Sequence, residues 1–134
     1  MKISLMLPYP PSANSYWYRS GKNIFINKKG REYRRTVSAL LAYWRIPTFP
    51  RDAKVKVTVI AHPPDRRKRD IDNILKCLFD SLERGGVFYD DNQVEEMEVT
   101  RGDVVSGGLV EVTIEDINDS ERNRQDVNDD KVSY

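Results

Sequence analysis

The chain has 134 residues, 39% hydrophobic and 32% charged, which suits one domain with its own core, and its single cysteine, Cys77, excludes a disulfide framework or a cysteine zinc site. It has no apolar run near the roughly 18 residues of a membrane span and no secretory signal pattern at its start, so we expect a cytoplasmic protein without membrane contact. The net charge of +1 is the sum of two halves of opposite charge. Residues 1–76 hold 17 basic and 5 acidic residues, whereas residues 77–134 hold 5 basic and 16 acidic residues. This asymmetry indicates a polyanionic partner for the basic half.

The predicted elements follow the order βαβαββ. Alternating apolar residues predict the strands, and apolar residues three and four positions apart predict the helices. The elements are a strand at 2–7, a helix at 28–44, a strand at 53–60, a helix between Asp70 and Gly85, a strand within 93–103 and a strand at 109–115. This order predicts an α+β domain, a small mixed sheet of about four strands with two main helices on one face. One sequence does not decide which strands pair in parallel.

The second helix has the clearest pattern. Its apolar stripe is continuous and comprises Ile71, Ile74, Leu75, Leu78, Phe79 and Leu82. Asp70 stands where an N-cap belongs, and two glycines follow where a helix ends.

A change of composition marks the end of the predicted domain. From Asp116 the chain has almost no apolar periodicity and holds 6 acidic against 3 basic residues. We predict a folded domain at residues 1–115 and an acidic, disordered tail at 116–134.

The sequence lacks several common catalytic arrangements. His62 is the sole histidine, it has no second histidine or cysteine with which to share a metal, and no nucleophile motif accompanies it. Glycine-rich loops that bind nucleotide phosphates are also missing, so we expect no nucleotide cofactor. The remaining candidate chemistry rests on carboxylates.

One segment, residues 65–73 with the sequence DRRKRDIDN, concentrates acids and bases at the start of the second predicted helix. Asp70 and Asp72 can project from the first turn and share a hard cation such as Mg²⁺, which prefers oxygen ligands. The same two aspartates can instead be structural helix caps. Asp91 lies in a short loop beyond the other end of the helix, from which a return to the same cleft is possible.

The neighbouring bases and aromatic residues also have two interpretations. Lys76 lies four residues after Asp72, so it forms either an ordinary exposed ion pair or a cation that neutralises charge on a phosphoryl group. Tyr16 either stacks on a base or covers the core. The basic run is either a solvated loop or a phosphate contact, and it comprises Arg66, Arg67, Lys68 and Arg69.

Three blocks of the sequence lie in one register: PYPPSANSYWYR near the start, PPDRRKRDIDN followed by Lys76, and GGVFYDDNQV after the second helix. Together they resemble the RusA family of Holliday-junction resolvases. The resemblance spans residues 3–115, and the family consists of small Mg²⁺-dependent endonucleases often carried by phages and prophages. It implies a homodimer, because a four-way DNA junction has to be nicked symmetrically on two strands.

The resemblance also assigns roles to individual residues. It implies that Asp70, Asp72 and Asp91 bind the metal and are catalytic, and that Lys76 assists catalysis. It puts the segment Arg66 to Arg69 near the DNA. It further puts Asn14 and Tyr16 near the substrate.

The leading hypothesis is a dimeric nuclease that resolves four-way DNA junctions during recombination and repair and leaves 5′-phosphate ends. A hypothesis from another class is a non-catalytic module that binds branched DNA, in which the acids only cap and solvate. A third hypothesis keeps the metal site but takes flaps or replication forks as substrates. The need for a divalent metal and a panel of branched substrates separate the three.

Overall fold

A mixed sheet forms the centre of the computed structural model, which describes residues 1–13, 17–117 and 130–133. Its strand order is β5-β4-β6-β1-β7, where β1 is Lys2–Pro8, β4 is Val55–His62, β5 is Val94–Arg101, β6 is Leu109–Asp116 and β7 is Asp130–Ser133. β6 pairs antiparallel with β1 and β4, whereas β5 is parallel to β4 and β7 is parallel to β1. The four strands predicted from the sequence all belong to this sheet, which confirms the α+β class.

Two helices cover one face of the sheet, α1 at Lys28–Tyr43 and α2 at Leu75–Arg84. Every second residue of β1, β4 and β6 is buried, as the alternation of apolar residues predicts. The strands and helices share one hydrophobic core, whose fully buried members include Leu5, Val57, Val112, Val37 and Leu78. None of the helices in the described residues combines the length and apolar character needed to cross a membrane.

Local hydrogen bonds fix the start of α1 beside the end of β1. The side-chain oxygen of Asn27 accepts the backbone N–H of Gly30 at 3.0 Å and so caps the helix. One turn into α1, the Tyr33 hydroxyl donates to the backbone oxygen of Pro8 at 2.7 Å. The N-terminal half of α1 therefore lies beside the end of β1.

The second helix begins later than its apolar stripe predicts. Residues Ile71–Ile74 form a 3₁₀ turn, and the α-helix follows from Leu75. Asp70 stands at the capping position, but its carboxylate accepts no backbone hydrogen bond there. The interpretation of Asp70 as a side-chain cap is therefore wrong. Ile71 is only half-buried and lies outside the core, so the stripe effectively starts at Ile74.

Two short strands outside the central sheet escaped prediction. β2 at Trp17–Ser20 and β3 at Asn23–Ile26 form an antiparallel hairpin across Gly21 and Lys22. Gly21 has a φ of 61°, a left-handed conformation that glycine adopts without strain and that tight hairpin turns require. Strands of four residues are too short to show a clear alternation of apolar side chains.

The C-terminal segment differs in part from its prediction as a disordered tail. β6 extends one residue beyond the predicted domain, and Asp130–Ser133 forms β7 along the free edge of β1. These four residues depart from the prediction because an edge strand offers unpaired backbone donors and acceptors to any extended segment. Residues 118–129 and residue 134 lie outside the described part of the chain.

His62 ties the end of β4 to the connection between β5 and β6. In its protonated form, its Nδ1 donates to the backbone oxygen of Asp103 at 2.9 Å and its Nε2 donates to the Glu111 carboxylate at 2.8 Å. The hydrogen bond with Glu111 raises the pKa of His62 above its usual value. Gly102 leaves room for the ring, because an added Cβ would lie 2.5 Å from a ring carbon. The lone histidine thus has a structural role.

The raised pKa of His62 predicts a pH-dependent part of the free energy of unfolding. This stabilisation is complete below the unfolded-state pKa of about 6.5 and is lost as the pH rises through the raised folded-state pKa. His62→Gln removes the charge, so its unfolding free energy should lack this component. Urea denaturation of both proteins between about pH 5 and 9 measures the difference. Parallel curves for the two proteins would contradict the prediction.

Candidate active site

A basic cleft of about 890 Å³ opens where β4 ends, bordered by the loop after β1 and the first turn of α1. Five cationic side chains and one carboxylate contribute to its lining: Lys29, Arg67, Lys68, Arg69, Arg101 and Asp70. Three of the four bases in the predicted DNA-contacting run therefore lie in one cleft. Arg66 is exposed and is not part of the lining. An excess of positive charge of this kind suits a phosphate backbone.

Asp65 holds the basic segment in shape. Its Oδ1 accepts the backbone N–H of Arg67 at 2.9 Å and a guanidinium N–H of Arg69 at 2.7 Å. The hydrogen bond from Arg69 lowers the pKa of Asp65 to about 2, so this carboxylate is ionised near neutral pH. Arg101 donates to the backbone oxygen of Arg69 at 2.7 Å and so joins β5 to the segment. Arg69 is a fixed wall of the cleft, whereas Arg67 and Lys68 are exposed.

The 3₁₀ turn and the start of α2 carry three of the predicted catalytic residues. Asp70, Asp72 and Lys76 are exposed, and none of their side chains has a hydrogen bond or ion pair with the described residues. The ordinary ion pair between Asp72 and Lys76 is thus not formed in this part of the chain. Two carboxylates that have no partner in the described part of the chain, next to a basic cleft, are available to a cation or to water near a phosphate.

Asp91 lies in a second acidic group, with Asp90 and Glu83. One carboxylate oxygen from each of the three lies within 4.8 Å of the other two. Glu83, in the last turn of α2, also accepts the backbone N–H of Asp91 at 2.9 Å. Asp70 and Asp72 are not members of this group. Within the described residues, the three predicted metal ligands therefore do not come together as one set at that distance.

The connection from β4 through α2 to β5 explains the separation. Because β4 and β5 are parallel, α2 runs back from the end of β4 to the start of β5. Asp70 and Asp72 precede α2 and Asp91 follows it, so about 15 Å of helix lies between them. Mg²⁺ holds oxygen ligands at about 2.1 Å and cannot span that distance. Asp91 of the same chain does not return to the cleft.

The candidate ligands still suit a hard divalent cation in their chemistry. Carboxylate oxygens are the donors that Mg²⁺ prefers, and three of them here are exposed. The softer donors are occupied elsewhere, because His62 is held by two hydrogen bonds and Cys77 is fully buried. Burial raises the pKa of the Cys77 thiol to about 12, so it stays protonated.

A buried glutamine fixes the loop that carries Asp91. Gln93 is 4% exposed, and its amide makes four hydrogen bonds to the main chain. Its oxygen accepts the N–H groups of Tyr89 at 2.9 Å and Asp90 at 3.2 Å, and its nitrogen donates to the oxygens of Pro50 at 2.8 Å and Ala53 at 3.0 Å. Sequence reasoning missed this residue, although the spacing from Asp90 to Gln93 is that of a capping box.

Comparison with known proteins assigns this arrangement to a family. The family described as endodeoxyribonuclease RusA matches residues 8–115. The chain belongs to the RusA family. It is 41% identical over 116 residues to the crossover junction endodeoxyribonuclease RusA of Enterobacteria phage HK97. The aligned region covers 87% of this chain and 96% of that relative.

Other RusA relatives agree over nearly the same length. The crossover junction endodeoxyribonuclease RusA of Escherichia coli strain K12 is 35% identical over 111 residues, covering 83% of this chain and 92% of the relative. The protein of the same name from Enterobacteria phage 82 is 36% identical over 110 residues, covering 82% and 91%. The similarity therefore extends across the whole domain and is not confined to one motif.

The RusA match includes every predicted site residue, but the structure does not describe all of them. Asn14 and Tyr16 lie outside the described residues. Conversely, Lys29 and Arg101 line the cleft and were not predicted. Arg101 reaches the cleft because it pairs with Ala61 in the parallel register of β4 and β5, a pairing that a single sequence does not reveal.

The hydrogen bonds of Gln93 predict a large effect of replacing it. Gln93→Leu should lower the free energy of unfolding by about 1–3 kcal/mol, because buried main-chain groups lose their partners. Asn92→Leu, at the exposed neighbouring position, is the matched control and should change it by less than about 0.5 kcal/mol. Urea denaturation of the three proteins measures both values. Equal effects of the two substitutions would contradict the role of Gln93 in holding the loop.

Proposed function

We propose that this chain is a Mg²⁺-dependent nuclease that resolves four-way DNA junctions by paired, symmetric nicks. Its membership of an endodeoxyribonuclease family and its 41% identity to a crossover junction endodeoxyribonuclease support the reaction and the substrate. The observation that carries the proposal is the juxtaposition of a cleft lined by five cations with two exposed aspartates that have no partner among the described residues. Hydrolysis of a phosphodiester uses water and needs no nucleotide cofactor. Because the proposed substrate is DNA, we also expect the protein in the cytoplasm.

The basic side chains bind and orient the substrate in this proposal. Arg67 and Lys68 are exposed and contact phosphate oxygens, and Arg66 extends the same run. Arg69 keeps its ion pair with Asp65, at 2.7 Å, and shapes the cleft wall. Phosphate contacts of this type bind any sequence, so recognition depends on the shape of the branched DNA.

The acids and Lys76 perform the chemistry. Asp70, Asp72 and Asp91 hold the metal through carboxylate oxygens. When bound, Mg²⁺ supplies an activated water for in-line attack and stabilises the departing 3′ oxygen, which leaves 5′-phosphate ends. Lys76, exposed on the first turn of α2, neutralises charge that builds up on the phosphoryl group.

A homodimer reconciles this assignment with the geometry of one chain. About 15 Å of helix separates Asp91 from Asp70 and Asp72, so one chain does not assemble all three around an ion. A two-fold axis that relates opposite ends of α2 brings Asp91 of one subunit to the aspartates of the other. Such a dimer carries two equivalent composite sites, which is the number that two symmetric nicks require.

Cleavage of an end-labelled four-way junction tests the proposal. Wild-type protein should produce paired nicks with Mg²⁺ and none with EDTA. Asp72→Asn should reduce cleavage by at least about a hundredfold, because a metal ligand is lost. Its binding to the junction should be equal or tighter, because a carboxylate that repels phosphate is removed.

The controls separate this outcome from the other candidate functions. Glu115→Gln removes a carboxylate from the sheet face opposite the helices and should leave cleavage unchanged. Binding by the wild type without nicks at any metal concentration would establish a non-catalytic binding module. Preferential cleavage of flaps or forks of equal length would move the substrate away from junctions.

A further inference from the structure

A second basic groove lies apart from the cleft described above. It has a volume of about 470 Å³ and is lined by Arg31, Arg34, Arg35, Ser38 and Arg84. None of these residues lines the first cleft. We propose that this arginine groove binds the sugar-phosphate backbone of a duplex arm of the DNA substrate, an inference that rests on the proposed function.

The groove keeps a positive charge after its internal ion pairs are counted. Asp80 pairs with Arg34 and with Arg84, each at 3.7 Å. The four arginines of the lining and Asp80 together carry a net charge of +3. The side chain of Asp80 is only 20% exposed. It therefore orients Arg34 and Arg84 from the protein side of the groove and does not fill the groove.

The arginines differ in how freely they can reach a ligand. Arg31 donates to the backbone oxygen of Ile26 at 2.6 Å, which fixes one end of its side chain. Arg34 is 19% exposed and packs over Asp80. Arg35 is exposed and has no ion pair within the described residues, and Arg84 is 55% exposed. Arg35 and Arg84 are therefore the groups best placed to contact phosphates.

The position of the groove connects it to both halves of the proposed site. On α1, Lys29 lines the first cleft and Arg35 lines the groove, about 9 Å further along the helix axis. On α2, Arg84 directly follows Glu83, which binds the backbone of Asp91. The groove therefore shares α1 with the first cleft and α2 with the support of the Asp91 loop.

The chemistry of the groove favours the repeated phosphates of a nucleic-acid backbone over a single small anion. Several guanidinium forks in one groove match phosphates that recur along a backbone, and each contact formed releases counterions. A negatively charged strand also has to approach the acids at Asp91, so nearby cations offset the repulsion. Among the described residues, the lining of the groove includes no aromatic side chain that would stack on exposed bases, which favours paired DNA over a single strand.

Binding of a fluorescent four-way junction and of a linear duplex, both in EDTA, tests this proposal. The variant Arg35→Gln/Arg84→Gln should weaken both complexes about tenfold at low salt and lower the slope of log K against log salt by about 1–2. Because the groove contacts paired arms, the ratio of junction to duplex affinity should stay unchanged. Arg45→Gln removes one charge from an exposed arginine just after α1 and should alter neither affinity by more than about twofold.

Each other outcome overturns a defined part of the account. Unchanged affinity and salt slope in the double variant would refute the groove as a DNA contact, while wild-type binding and cleavage would leave the proposed function intact. Loss of junction preference would refute the assignment to a duplex arm. A change in sedimentation of the variant would assign the arginines to a subunit contact instead. Failure of the wild type to bind either DNA would refute the proposed function itself.

Discussion

The parallel pairing of β4 with β5 is the constraint on which the rest of the structure depends. A chain that leaves β4 must return to the other end of the sheet before it can run parallel, and α2 provides that return. Residues before α2 and residues after α2 therefore stand at opposite ends of the helix. The same pairing brings Arg101, at the end of β5, beside the basic segment that follows β4. The parallel pairing thus brings the basic residues of the cleft together and separates Asp70 and Asp72 from Asp91.

The local energetics suit a surface that must bind phosphate and still hold its shape. Asp65 and Arg69 form an ion pair at 2.7 Å that fixes the turn, and Asp65 also pairs with the exposed Arg67 at 3.6 Å. On the other side of α2, the amide of Gln93 bonds four main-chain groups and holds the Asp91 loop against the core. Rigid supports beneath exposed charged groups reduce the ordering that binding would otherwise require.

The sequence predicted the parts of the molecule that local patterns control. Alternating Val55, Val57 and Val59 specified β4 because one side of that strand faces the core, and the apolar stripe specified α2. Three residue blocks predicted the family, which the comparison with known proteins confirms, whereas the assignment of its metal-binding acids stays a prediction. Asp70, Asp72 and Lys76 are exposed in the structure, and within the described residues Asp70 forms no capping hydrogen bond and Asp72 forms no ion pair with Lys76.

What the sequence did not predict depends on contacts between distant segments. The alternation of apolar residues does not encode whether two strands run parallel or antiparallel. The sequence therefore did not predict that Arg101 lies in the cleft or how far Asp91 lies from Asp70 and Asp72. The 3₁₀ start of the second helix and the pairing of Asp130–Ser133 with β1 follow from tertiary packing and a free strand edge. In the sequence Lys29 has no feature that distinguishes it from other helix residues. Its place in the cleft follows from the packing of α1 beside the loop after β1.

Mixing of inactive subunits tests the central claim, that each metal site is shared between two chains. Asp72→Asn and Asp91→Asn proteins, each without cleavage activity alone, are refolded together and assayed on a labelled four-way junction with Mg²⁺. Random pairing makes half of the dimers mixed, each with one complete site, so roughly a quarter of the wild-type sites should return as nicks in one strand. If the mixture stays as inactive as its components, the acids act within one chain and the account is contradicted.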